Sequence, residues 1–204
     1  VQEYIKKCFF DIMDQANIEY VKLDMNRSIG NVYANDLPAQ RQGEVLHRYV
    51  LGLYNVLNAI VERYPDLLIE SCSGGGGRFD AGMLYYAPQA WCSDNTDAID
   101  RIKIQYGSSF GYPISSVGAH VSACPNHQTG RSVPLSTRAD VALAGSFGYE
   151  LDLRLLSDEE KAQVKEQIKE FHDYYDLTHE GDYYRLTERD NTSFTAWEFV
   201  AKNK

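Results

Sequence analysis

Three short stretches of this chain bring together side chains that can do chemistry. In KLDMNR (22–27), Lys22, Asp24 and Asn26 stand two residues apart. Side chains of a strand alternate between its faces, so all three lie on one side of a strand end. An ammonium and an amide beside a carboxylate favour its charged form, which suits a nucleophile. A strand-capping aspartate salt-bridged to a lysine explains this segment equally well by itself.

The second stretch, WCSDNTDAIDR (91–101), holds Asp94, Asp97 and Asp100. Helix N-termini attract acids through their free N–H groups and their dipole. Asp97 and Asp100 are therefore read as helix-start residues, and Asp94, at the end of a strand, as the catalytic one of the three. A glycosidase needs one ionised carboxylate to attack the anomeric carbon and one protonated carboxyl to serve the leaving oxygen, about 5–5.5 Å apart in the retaining case. Asp24 and Asp94, on different strands facing one crevice, can meet that demand.

The third stretch, ESCSGGGGRFD (70–80), follows a strand with four consecutive glycines. Glycine lets the backbone approach a ligand and adopt positive φ. Neither G-K-[ST] nor a G-x-G-x-x-G leading a long apolar helix is present, which counts against a phosphate site. A close sugar contact lined by Cys72 and Gly74 is the better reading, with a flexible surface loop as the alternative. In HVSACPNHQTGR (120–131), His120 and His127 flank Cys124, but the spacing fits no zinc pattern and Pro125 bends the chain between them. His120 is assigned to substrate contact or to orienting a catalytic group. Trp91, Tyr106 and Phe110 are assigned to the core.

The elements that must position these residues alternate. Periodicity and breakers predict helices over 4–16, 43–64 (stopped by Pro65), 99–111, 138–148 and 157–178, the last opened by a capping box of Ser157 and Glu160. Strands are predicted over 18–24, 67–72, 89–94, 114–122 and 149–155. Such alternation implies parallel βαβ units, and the polar or small residues that end the strands from 18 to 122 mark the active face of a (β/α) barrel. The fold class is α/β, of the (β/α)8 TIM-barrel type. Five predicted strands amount to about the last five β/α units of a closed barrel. Residues 1–180 are assigned to that C-terminal part of the barrel, and 181–204, with aromatic and β-branched alternation, to the start of a C-terminal β domain. Because Val1 falls in mid-helix, upstream sequence is expected.

At 204 residues and 44% hydrophobic, the chain can bury one sizeable core. A net charge of -9 argues against nucleic acid as a partner. No apolar run approaches the ~20 residues needed to span a bilayer, so no membrane partner is expected, and charges interrupt the N-terminal VQEYIKKCFF in a way unlike a signal peptide. Cys8, Cys72, Cys92 and Cys124 form no C-x-x-C pair, so free thiols and a cytoplasmic location are expected.

Taken in order, KLDMNR, ESCSGGGGRFD, WCSDNTDAIDR, IQYGSS and GAHVSACPNHQTGR resemble the α-galactosidases of glycoside hydrolase family 36, over most of residues 18–150. The resemblance implies that Asp24 is the nucleophile and Asp94 the acid/base, and that Lys22, Asn26, Cys72 and Gly74 bind galactose. It further implies double displacement on raffinose- and melibiose-type galactosides, no metal or organic cofactor, and a homo-oligomer, a tetramer, for the full-length protein. The family's usual K-W-D is K-L-D here, and Leu23 should point away from the pocket by alternation. The early barrel strands of the family have no counterpart in this sequence, so the isolated chain is expected to hydrolyse little. A related α-N-acetylgalactosaminidase or transglycosylase, and a non-catalytic carbohydrate-binding fragment, are the competing readings.

Overall fold

The computed structural model describes residues 1–27, 29–30, 32–188 and 194–202. Its organising feature is a run of parallel strands taken in chain order. β1 (Tyr20–Asp24) pairs with β2 (Leu68–Cys72), setting Lys22 opposite Glu70 and Asp24 opposite Cys72. β2 pairs with the two-residue β3 (Gln89–Ala90), and a single bridge from Ala90 to Val117 leads toward β4 (Gly118–Ser122), which pairs with β5 (Ser146–Glu150). Each connection between parallel neighbours crosses back through helical or loop segments, as a parallel sheet requires.

The helices cover one face of this sheet. α1 (Gln2–Met13) and α2 (Val45–Arg63) pack Phe9, Phe10, Val56 and Ile60 against Leu23 and Ile69. α2 stops at Tyr64, because a residue before proline is driven out of the helical region. α3 (Ala81–Tyr86) and α4 (Ala98–Ser108) follow, each opened by an aspartate that caps its first N–H groups. α5 (Leu135–Ala142) and α6 (Asp158–Glu180) bury Leu135, Ala139, Ala142 and Val164 against Ala119 and Val121, with Phe147 and Tyr149 packed alongside. The predicted capping box is present in full, with Glu160 N donating to Ser157 Oγ and Ser157 N to Glu160 Oε2. Alternation therefore leaves Lys22, Asp24, Glu70, Cys72, His120 and Glu150 on the face away from the helices.

The chain then changes pairing mode. β6 (Asp182–Arg185) and β7 (Trp197–Val200) form an antiparallel pair whose Tyr183, Trp197 and Phe199 pack on Ile114, Val117 and Ala144. Residues 189–193 and 203–204 of the tail lie outside the described residues.

Four predicted elements shift most. The strand expected over 89–94 keeps its ladder only at Gln89–Ala90, because residues 92–94 leave the sheet to wrap the glycine loop. The strand expected over 114–122 begins at Gly118, since Pro113 starts a 3-10 turn over Ile114–Ser116. The helix expected over 138–148 is Leu135–Ala142, and the strand expected over 149–155 is Ser146–Glu150. There the ladder to β4, anchored by Ser146 N on Val117 O at 2.8 Å, overrides local helical propensity.

Candidate active site

A cleft of about 340 Å³ opens where the parallel strands end, lined by Lys22, Asp24, Cys72, Trp91, Asp94 and Glu150, with Thr96, His127 and Gln128 along one wall. Asp24 is the last residue of β1. Asn26 Nδ2 donates to Asp24 Oδ2 at 2.9 Å, while Asn26 Oδ1 accepts from the Gly74 N–H at 2.5 Å. Asn26 thus links the end of β1 to the glycine loop. Burial pushes the Asp24 pKa up, but hydrogen bonds from Asn26, from the Cys72 thiol and from the Met25 and Gly74 N–H groups outweigh it and hold the carboxyl below its usual range. The Cys72 thiol is pushed up, mainly by burial and further by Asp24, so it stays protonated and donates. Asp24 is an ionised acceptor surrounded by donors.

Lys22 Nζ lies 3.4 Å from Glu70 Oε1 and 4.9 Å from the centroid of the Trp91 ring. Glu70 is only 2% exposed and also accepts from Gln89 Nε2 at 2.9 Å and from the Tyr20 hydroxyl. A buried carboxylate is tolerable only with such partners. The sequence reading missed Glu70, although its position two residues before Cys72 places it on the same strand face.

Asp94 sits just beyond β3 and accepts a hydrogen bond from Trp91 Nε1 at 3.1 Å. Assigning Trp91 to the core alone was incomplete: it is 5% exposed, yet it forms part of the cleft wall. His120 stacks on it at 4.6 Å with an interplanar angle of 27°, and its Nδ1 stands 3.2 Å from Glu150 Oε2. The Arg101 guanidinium lies 4.5 Å from the Trp91 ring and donates to Ser93 O at 3.3 Å and to Gly118 O. Tyr106 is buried as expected, whereas Phe110 is exposed.

Asp97 takes the structural role expected of it. It caps α4 through Ile99 N at 2.9 Å and Asp100 N at 3.0 Å. It also accepts from Thr129 Oγ1 at 2.7 Å and pairs with Arg131. Asn126 Nδ2 donates to Thr96 Oγ1 at 3.0 Å and Gln128 Oε1 accepts from Thr96 N at 3.1 Å. The loop that carries His127 and Gln128 is therefore tied to the segment that carries Asp94. Among the described residues, no cluster of three or more His, Cys, Asp or Glu is arranged to hold a metal.

The glycine loop supports the same corner from the other side. Gly75 has φ of 79°, and a Cβ there would come within 2.8 Å of Ser93 Cα and 2.9 Å of Asp94 N. Only glycine fits between the loop and the Asp94 backbone. Of the six predicted site residues, Lys22, Asp24, Cys72 and Asp94 line the cleft, and Asn26 and Gly74 adjoin it through their mutual hydrogen bond.

The family model for Melibiase matches residues 1–181. This chain belongs to the Melibiase family. Among relatives of this Melibiase chain, the bifunctional alpha-galactosidase/sucrose kinase AgaSK of Mediterraneibacter gnavus is 54% identical over 98% of this chain and 21% of its own length. Alpha-galactosidase Mel36A of Lactobacillus acidophilus is 52% identical over 100% of this chain and 28% of its own length. The crystal structure of the GH36 alpha-galactosidase AgaA from Geobacillus stearothermophilus superposes with a TM-score of 0.94 at 52% identity, covering 98% of this chain and 28% of that one. Variants of AgaA have been solved in complex with raffinose and with stachyose. This Melibiase chain thus spans between about a fifth and just over a quarter of the length of such relatives.

Proposed function

We propose that this chain carries the catalytic carboxylates of a retaining α-galactosidase acting on raffinose- and melibiose-type oligosaccharides. The observation that carries the proposal is the meeting of Asp24 and Asp94 on one cleft in contrasting settings. Asp24 is held ionised by several donors, whereas among the described residues Asp94 takes one neutral donor, the Trp91 indole N–H. The names of the relatives and the raffinose and stachyose complexes of AgaA supply the sugar.

In the first step an Asp24 oxygen attacks the anomeric carbon, the glycosidic bond breaks, and the Asp94 proton passes to the leaving oxygen. A galactosyl ester on Asp24 results. In the second step Asp94, now a carboxylate, takes a proton from water as that water attacks the same carbon, releasing galactose and restoring Asp24. Lys22, Asn26, Cys72 and Gly74 are assigned to the galactose hydroxyls, and no metal or organic cofactor enters. The five parallel strands are assigned to the later part of a (β/α)8 barrel, residues 181–204 to the opening of a C-terminal β domain, and the whole protein to a cytoplasmic tetramer.

Treating the whole protein with a fluorinated α-galactosyl fluoride and mapping the adduct by mass spectrometry tests the reading. The fluorogalactosyl mass is expected on the peptide containing Asp24, and Asp24→Asn is expected to abolish both the label and turnover. A label on another residue, or an active Asp24→Asn, would sink the assignment.

A further inference from the structure

Asp94 has two oxygens, and a general acid must keep its proton on the one that faces the leaving group. The Trp91 indole N–H occupies Oδ1 at 3.1 Å. An indole N–H can only donate, and the unprotonated oxygen of a carboxyl group accepts such a bond better than its hydroxyl oxygen does. We propose that Trp91 is a positioning residue that dedicates Oδ1 of Asp94 to its own N–H and so confines the transferable proton to Oδ2. This rests on Asp94 being the acid/base of the proposed reaction.

The ring is built to hold this position. Trp91 N donates to Ser71 O at 2.9 Å, which ties its backbone to β2. His120 stacks on the ring, and the Lys22 ammonium and Arg101 guanidinium lie 4.9 and 4.5 Å from it. Cations over indole are attractive contacts and resist its rotation. At Gly118 a Cβ would come 3.1 Å from Trp91 Cε3, so that glycine leaves room for the ring. Lys22, assigned to galactose, and Asp94, assigned to the leaving oxygen, thereby share one rigid reference surface.

The test separates proton delivery from mere stability by varying the leaving group. A dinitrophenolate departs without protonation, whereas the sugar hydroxyl oxygen leaving from raffinose needs it. In the whole protein, Trp91→Phe removes the N–H and keeps an aromatic ring. The ratio of kcat/KM for dinitrophenyl α-galactoside to kcat/KM for raffinose is expected to rise about tenfold, since lost orientation costs part of the ~10²–10⁴ that general acid catalysis supplies. Replacing Trp91 with benzothienylalanine, which keeps the bicyclic shape without the N–H, is expected to raise the ratio likewise and controls for misfolding of the phenylalanine variant. An unchanged ratio in the benzothienylalanine protein overturns the inference. Unsubstituted protein that hydrolyses neither galactoside overturns the glycosidase reading itself, and the inference with it.

Discussion

Asp24 and Asp94 are the same residue type placed in different company, and the difference lies in single side chains. Asn26 both donates to Asp24 and holds the Gly74 N–H in place, so removing it takes away more than one bond. Those donors favour the ionised carboxylate, and without them the pKa must rise. In the proposed role Asp24 has to be charged, so kcat/KM falls as pH drops through its free-enzyme pKa. Asn26→Ala is therefore expected to move the acidic limb of the kcat/KM profile to higher pH, and a limb that stays put or moves lower would contradict the account. The grouping of Lys22, Asp24 and Asn26 was legible in the sequence because strand alternation has period two. Glu70 and Trp91 were not, for a physical reason. A buried carboxylate and a buried indole look like anomalies or core until the partners Lys22, Gln89, His120 and Arg101, distant in sequence, are brought together by the sheet.

At the scale of elements, the site depends on loops that follow strands, and their positions depend on one another. The glycine loop after β2 presses on the backbone of Ser93 and Asp94, with Gly75 at the contact and in a left-handed conformation. Gly75→Ala is expected to cost about 1–3 kcal/mol of stability through its positive φ. The larger consequence is that the new Cβ must push Asp94 away from its place on the cleft wall. Thermal unfolding and kcat/KM on raffinose, measured together in the whole protein, check this. A stable Gly75→Ala protein with normal activity would show that the contact does not set the position of Asp94. The same mutual dependence explains which elements the sequence revealed. β1, β2, α2 and α6 carry their own signals in alternation, in Pro65 and in the capping box, and their predicted and observed spans agree closely. β5 carries none strong enough, so its start shifted from 149 to Ser146. With the strand drawn over 149–155, Glu150 read as a strand beginning, whereas it ends β5 and lines the cleft.

Over the whole molecule, the face that carries the chemistry stands open. Tyr20 and Leu68 face each other in register on that side and are 48% and 60% exposed, although an inner barrel layer is ordinarily packed solid. Among the described residues β1 pairs only with β2 and β5 only with β4, so neither outer edge is closed. Beside β1, an apolar groove of about 380 Å³ is lined by Ile5, Phe9, Leu23, Leu53 and Val56. A hydrophobic recess of this kind next to an unpaired strand is unfinished packing in the chain by itself. The relatives are several times longer, which fits a barrel whose other strands complete this wall. The 204-residue chain by itself is therefore expected to bind a hydrophobic dye strongly. It is also expected to hydrolyse nitrophenyl α-galactoside at least about a hundredfold more slowly than the whole protein, because displacing catalytic groups by an ångström already costs that much. Steady-state turnover of the two forms, side by side, decides it. Equal rates would mean that the five parallel strands hold Asp24 and Asp94 at working distance unaided, and that the open face is a complete binding surface.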